Sequence, residues 1–286
     1  MDIVWLGRGA CGDCALIGGK GAGLCHLAAD YHVPPTFCVT AAAFTRWAAQ
    51  VDITRGRLPD PLYVQLEQAY RQMAADSASD APRVAVRSSA LDEDGQRASF
   101  AGQHQTLLNI IGVDAVAQAV VGCWASARSL QALAYRRQQG LPLHTPMAVL
   151  VQQLVVADVA AVVFTANPVT GSRGEMVINA SWGLGESIVS GTVTPDTFVV
   201  RKADLAVTMR EVGSKEQMTV LGLTGTRTMP VPRLMRRQPS LSDNRVVALA
   251  HLGLALEQWM GQPVDVECAY SGESLYLLQC RPITTV

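Results

Sequence analysis

The sequence predicts an α+β chain in two lobes, and three observations carry that prediction. Helical periodicity dominates the first half, with short strand-like runs between the helices. Beyond Pro146 the pattern turns to strands, and the change near Leu143 to Met147 divides the chain into lobes 1–146 and 147–286. Hydrophobic residues make up 49% of the 286, enough for one large domain or two lobes with real cores.

The elements follow in order. Ala22 to Tyr31 has helical spacing and opens just after Gly18-Gly19-Lys20-Gly21, so its start beside Lys20 would suit an anion. Val33-Pro34-Pro35 reads as a turn into a strand ending at Val39, and Thr40 is a cap for a helix over Ala41 to Val51. Pro59-Asp60-Pro61 breaks the chain before an amphipathic helix over Leu62 to Asp76. Val84 to Arg87 is a short strand ending in Ser88-Ser89. Asp92 to Gly102 is small and polar, hence a loop, and Thr106 to Ile111 resumes as a strand. Val113 to Gln139 reads as one helix, with Trp124, Leu130, Leu133 and Tyr135 on its apolar face. Strands then follow at 148–154, 160–164, 176–180 and 198–201. A helix over Leu241 to Trp259 precedes a final β-pair, 264–269 and 275–280.

Composition excludes several classes. Charged residues are only 16% and net charge is −1, so neither extended disorder nor a nucleic-acid footprint is expected. The start lacks a basic segment followed by an apolar run, so no signal peptide is expected. Met147 to Phe164 is the most apolar stretch, but Gln152, Gln153 and Asp158 disfavour a membrane span. A cytoplasmic protein is the expectation. Seven scattered cysteines do not make a disulfide scaffold. Cys11-Gly12-Asp13-Cys14 lacks the second ligand pair that zinc would need, so small buried or loop thiols are the simpler reading.

Chemistry concentrates in three islands: Gly18 to Leu24, Val86 to Ala90, and Asp265-Val266-Glu267 with Leu278 to Pro282. Alone, the glycine–lysine run is a turn with a surface lysine, since no G-x-x-x-x-G-K-[ST] spacing surrounds Lys20. Arg87 ends a buried-looking strand, where an arginine needs a charged partner, protein or ligand. Asp265 and Glu267 share one face of a strand, and Gln279 and Arg281 share a face of the next. Antiparallel pairing would gather two acids, an amide and an arginine in one patch. Two carboxylates on one face repel unless a cation sits near them, so a Mg²⁺–phosphate site explains the patch better than plain exposure.

Gly18-Gly19-Lys20 and Val86-Arg87-Ser88-Ser89-Ala90, with Val33-Pro34-Pro35-Thr36-Phe37, Ala98-Ser99-Phe100-Ala101-Gly102-Gln103, Phe164-Thr165-Ala166-Asn167-Pro168, Trp182-Gly183-Leu184-Gly185-Glu186 and Gln279-Cys280-Arg281-Pro282-Ile283-Thr284, form seven ordered motifs. End to end the chain resembles the nucleotide-binding domain of the phosphoenolpyruvate synthase, pyruvate phosphate dikinase and rifampin phosphotransferase family. The resemblance implies an ATP-grasp fold holding ATP between two lobes, with Mg²⁺. It implies phosphate-binding roles for Lys20, Arg87 and Arg281, which also serve as the catalytic cations. Glu267 and Gln279 correspond to metal ligands, with Asp265 beside them. Gln152, Gln153 and Leu154 correspond to the strand bordering the adenine. Ser99, Gly102 and Gln103 lie in a phosphate-covering loop, and Glu186 belongs to the nucleotide-binding set. Ala160-Ala161 stands where the family commonly has Ser-Gly.

The resemblance also implies a phospho-accepting histidine in a Gly-Gly-x-x-[Ser/Thr]-His setting. None of the five histidines, at 26, 32, 104, 144 and 251, has it. The expected function is therefore an ATP-dependent phosphotransferase component, AMP-forming, that passes a phosphoryl group to a histidine domain on a separate protein. Two alternatives stand beside it: an independent ATP-grasp kinase or ligase that activates a small molecule, and a non-catalytic nucleotide-binding module. The intact set of Lys, Arg, Glu and Gln counts against the last.

Overall fold

In the computed structural model the described residues are 1–8, 13–91, 106–138, 140, 142 and 145–283. They divide into two compact units, Met1–Leu154 with Leu223–Gly225, and Val155–Gly222 with Thr226–Val286. Both are mixed α/β with antiparallel sheets, as the α+β prediction requires.

In the first unit, β1 (Ile3–Trp5), β2 (Thr36–Val39), β3 (Arg83–Ala90), β4 (Thr106–Ile111) and β5 (Met147–Gln153) form a five-stranded sheet ordered β1-β2-β5-β3-β4. Every pairing is antiparallel. Strand alternation sends Phe37, Val39, Val84, Val86, Val149 and Val151 to one face. There they meet Leu62, Leu66 and Met73 of α3 (Asp60–Asp76) and Val116, Val120 and Trp124 of α4 (Val113–Ser126). Each such side chain contributes about 1.5–3 kcal/mol of hydrophobic stabilisation. The opposite face carries Cys38, Ala148 and Leu150, covered by Ile17, Leu24 and Cys25 of α1 (Cys14–Leu27). Thr40 caps α2 (Ala41–Trp47) by accepting from the Ala43 N–H at 3.1 Å. Asp2, almost fully buried, takes donors from Arg46, Trp47 and Gln65 and ties the N-terminus to these helices.

Three expectations change. The first helix begins at Cys14, well before Ala22, and breaks at Gly18 (φ +73°). The helix expected over Val113 to Gln139 is two, α4 and α5 (Leu130–Gln138), and Leu130 is exposed rather than apolar-face core. Cys25 is disulfide-bonded, whereas Cys38, Cys123, Cys268 and Cys280 are buried thiols outside any disulfide and Cys14 is an exposed one. Cys11 lies outside the described residues, as does the side chain of Tyr135.

In the second unit, β6 (Val159–Phe164), β7 (Glu175–Trp182), β8 (Asp196–Arg201), β9 (Val207–Glu211), β12 (Val264–Ser271) and β13 (Ser274–Pro282) form a sheet ordered β13-β12-β6-β7-β8-β9. β10 (Gln217–Leu221) and β11 (Thr226–Pro230) make a separate hairpin. Helix α8 (Asp243–Met260) is capped by Ser242 and ends on Gly261 in the left-handed region. It covers one face of the sheet at close range: a Cβ on its Gly253 would press on Thr165, Val163 and Met176. Two short helices, α6 (Glu186–Val189) and α7 (Arg233–Arg236), complete the unit. A fully buried ion pair, Lys215 with Asp196, is completed by the Gly213 N–H and by the backbone and hydroxyl of Ser240. With every lone pair engaged, burial of these charges is tolerated. No helix among the described residues is long and apolar enough to cross a membrane.

Candidate nucleotide and metal sites

Two clusters hold most of the predicted residues that the structure describes, one in each unit. In the first unit the glycine motif docks on the end of β3. Gly18 takes a positive φ, and a Cβ there would collide with the carbonyl and hydroxyl of Ser89. Only glycine lets the chain pass this close. Ser89 fastens the seam, its hydroxyl donating to Ile17 O at 2.8 Å and accepting from the Gly21 N–H at 3.3 Å. Lys20, only 8% exposed, donates from Nζ to Ser88 O at 3.3 Å. The spatial contact explains why the Gly-Gly-Lys and Val-Arg-Ser-Ser motifs go together. Lys20 is not the surface lysine that the motif alone would allow.

Arg87 lies one residue before Ser88 on β3. The register pairs Ala85 with Gln152 and Arg87 with Leu150, so Arg87 and Gln152 are diagonal neighbours on one face. Arg87 Nη1 donates to Gln152 Oε1 at 3.4 Å. Gln152 is 2% exposed, and its Nε2 has no hydrogen-bond partner among the described residues. Gln153 closes β5 through its N–H to Pro35 O, and Leu154 donates to Arg83 O. Ser99, Gly102 and Gln103 lie outside the described residues.

In the second unit, β12 and β13 pair in the register the patch requires: Asp265 opposite Arg281, and Glu267 opposite Gln279. Arg281 donates from Nε and Nη2 to Asp265 Oδ2 at 2.9 and 2.8 Å. The remaining oxygen, Oδ1, is buried without a hydrogen-bond partner among the described residues. Burial pushes the Asp265 carboxyl up from its ordinary range, against the pull of Arg281, and the Glu267 carboxylate adds to the rise. The register slips just after the Glu267–Gln279 pair, where Cys268 faces Leu277 and Leu278 is the extra residue. Such a bulge re-aims side chains and is common beside functional sites. Glu186 stands apart on α6, its Oε2 accepting from Thr226 at 2.7 Å.

The donor set suits Mg²⁺. Two carboxylates and an amide oxygen are hard ligands, and this ion takes one or two carboxylates and fills its remaining places with water and phosphate oxygens. Glu267 and Gln279 would hold it, with the open Asp265 Oδ1 as a further acceptor. No group of three His, Cys, Asp or Glu side chains among the described residues offers an all-protein cage.

Other motif residues have structural work. Thr165 exchanges hydrogen bonds with Val264, and Asn167 caps the next turn through the Val169 and Thr170 N–H groups. Two features escaped the sequence reading: the Gln152–Arg87 contact and the Asp196–Lys215 pair. The first depends on strand register. The second joins residues 19 apart across an irregular segment, with no periodicity to reveal it.

The family described as "Pyruvate phosphate dikinase, AMP/ATP-binding domain" matches residues 48–286, and the chain belongs to that family. It is 37% identical to a probable phosphoenolpyruvate synthase of Methanocaldococcus jannaschii, over 99% of this chain and 27% of that protein. It is 36% identical to the rifampicin phosphotransferase of Streptomyces sviceus, over 95% of this chain and 34% of the relative. It is 37% identical to the prodigiosin synthesizing transferase PigC of Serratia marcescens, over 94% and 32% respectively. The chain thus spans between about a quarter and a third of these relatives' lengths.

Proposed function

We propose that this chain is the nucleotide-binding component of an ATP-dependent phosphotransferase, of ATP-grasp type. Lys20, Arg87 and Arg281 bind the phosphates of Mg·ATP, and Glu267 and Gln279 hold the metal with Asp265 beside them. The strand end at Gln152 to Leu154 borders the base, and Glu186 belongs to the same set. One observation carries the reading most: the β12–β13 register that sets Asp265 against Arg281 and Glu267 against Gln279. Alternating acid, amide and arginine on one sheet face is what a metal-bridged phosphate chain requires, because charge on the transferred group must be neutralised from several sides.

The acceptor in this proposal is a histidine borne outside these 286 residues, and the products are AMP and phosphate. A second reading, direct transfer to a small molecule, draws support from the relatives named for rifampicin and prodigiosin. Calorimetry tests the common core: ATP should bind with Mg²⁺ and much more weakly without it. No Mg²⁺-dependent affinity in folded protein would end the proposal. Product analysis with labelled ATP and candidate acceptors then separates the two readings.

A further inference from the structure

The second unit holds a recess of about 400 Å³ lined by Val212, Gly213, Ser214, Glu216, Arg236 and Arg237. That volume falls in the range of small-ligand sites. Strand register separates it from the metal patch. Glu267, Val162, Asn179, Thr197 and Glu211 form one row across β12, β6, β7, β8 and β9, so they share a sheet face. Asp196, next to Thr197, therefore points to the opposite face, the one on which α8 meets Met176. Both walls of the recess donate to Asp196, one from the Gly213 N–H and the other from Ser240. Val212 also follows Glu211, four strands along the sheet from Glu267 and roughly 19 Å away at about 4.8 Å per strand.

The walls are fixed in place. A Cβ on Gly213 would collide with the carbonyls of Thr194 and Pro195, and the buried Asp196–Lys215 pair anchors the same loop. Trp182 Nε1 donates to Met235 O at 3.3 Å, which seats α7. Arg236 Nε donates to Val231 O at 2.8 Å, so its guanidinium is held by one nitrogen while the two terminal nitrogens stay open. Among the described residues neither Arg236, Arg237 nor Glu216 makes an ion pair. Two guanidiniums against one carboxylate leave the lining net positive.

We propose that this recess binds a small phosphorylated molecule that carries a hydroxyl group. The guanidinium fork matches phosphate oxygens two at a time. Arg236, pre-aimed by Val231 O, and Arg237 take the phosphate, and Glu216 accepts the hydroxyl. Arg233 belongs to the same basic run but lies outside the lining.

Hydrogen exchange of the full chain with inorganic phosphate and with glycerol 3-phosphate tests this, because it reports position. Both should protect residues 212–216 and 236–240, glycerol 3-phosphate at the lower concentration. Arg237→Ala alters an exposed side chain, and thermal melting confirms that it folds. It should weaken glycerol 3-phosphate binding roughly tenfold, the size of one hydrogen bond to a charged group. Arg233→Ala should change it little, and Glu216→Ala should erase the preference for glycerol 3-phosphate over phosphate. Protection confined to α1, β3 or β13 would put the anion with the nucleotide residues instead and overturn the proposal. So would no protection of either wall, an unaltered Arg237 variant, or equal losses in the Arg233 and Arg237 variants, which would reduce the effect to diffuse surface charge. A preference that survives Glu216→Ala would overturn the hydroxyl contact.

Discussion

The two units hold their candidate arginines in different ways. In the second unit, Arg281 is clamped by two charge-assisted bonds at 2.8 and 2.9 Å to a carboxylate directly opposite on the next strand. In the first, Arg87 meets a neutral amide diagonally across the sheet at 3.4 Å. Two short bonds between full charges hold a guanidinium more firmly than one 3.4 Å bond to an amide, so Asp265 aims Arg281 more strongly than Gln152 aims Arg87. Asp265 also offsets much of the Arg281 charge, which a neutral amide such as Gln152 does not do for its own arginine.

The largest expected effect falls on the seam that seats Lys20. Gly18→Val would combine a positive φ with a collision against Ser89, and should cost more than about 3 kcal/mol of stability. Chemical denaturation and hydrogen exchange would measure it, with protection lost first in α1 and β3. A variant as stable as wild type would mean that the Gly18–Ser89 approach is not a constraint.

Next comes the clamp on Arg281. Asp265→Ala removes the acceptor of a half-buried guanidinium, which is 33% exposed at its side chain. Breaking a buried pair from one side is costly, and the partial exposure of Arg281 moderates the cost to about 2 kcal/mol. Asp265→Asn keeps an acceptor oxygen and should lose less stability, yet still weaken Mg²⁺-dependent ATP binding. If both substitutions leave the denaturation midpoint and ATP affinity unchanged, the contrast between the two arginines has no energetic content.

A smaller loss is expected for nucleotide binding in the first unit. Arg87→Ala or Lys20→Ala should each cost roughly 1.5–3 kcal/mol in ATP affinity, the range for a charge-assisted contact. Glu267→Ala should instead act through the metal, so its effect should shrink when Mg²⁺ is withheld. A Glu267 loss of the same size with and without Mg²⁺ would remove that residue from the metal set.

The sequence made the second unit's patch more legible than the first unit's. Asp265, Glu267, Gln279 and Arg281 sit on two consecutive strands joined by a tight turn, so period-two alternation was enough to gather them. The first unit's cluster joins α1, β3 and β5, elements far apart in sequence: the hydrogen bond from Ser89 to Ile17 alone spans 72 residues. No local pattern encodes such a meeting. The change to strand-rich sequence near Met147 was visible, but the strand it announces lies at the centre of the first sheet, between β2 and β3. Neighbours in a sheet are fixed by long-range pairing, which periodicity does not report. The break in α1 was missed for a related reason: the sequence shows four glycines there, and only the approach of Ser89 selects which one must bend.

The smallest expected effect is none at all, and it concerns the histidines. His26, His32, His104, His144 and His251 all lack a Gly-Gly-x-x-[Ser/Thr]-His setting. Phosphoryl transfer requires the acceptor in line with the phosphorus and within contact of it, so a histidine in the wrong surroundings gains nothing from a well-built nucleotide site. His26 ends α1 and His251 is exposed on α8, each fixed within its own helix rather than carried on a mobile acceptor segment. The chain incubated with β- or γ-labelled Mg·ATP should therefore take up no stable label, and turnover should be slow. Adding a true acceptor, protein or small molecule, should raise turnover and carry the label away with it. Label from the β position on the acceptor would support the AMP-forming route, and label from γ alone would favour a simple kinase. Acid-labile label fixed at one of this chain's own histidines would break the proposal that the acceptor lies elsewhere.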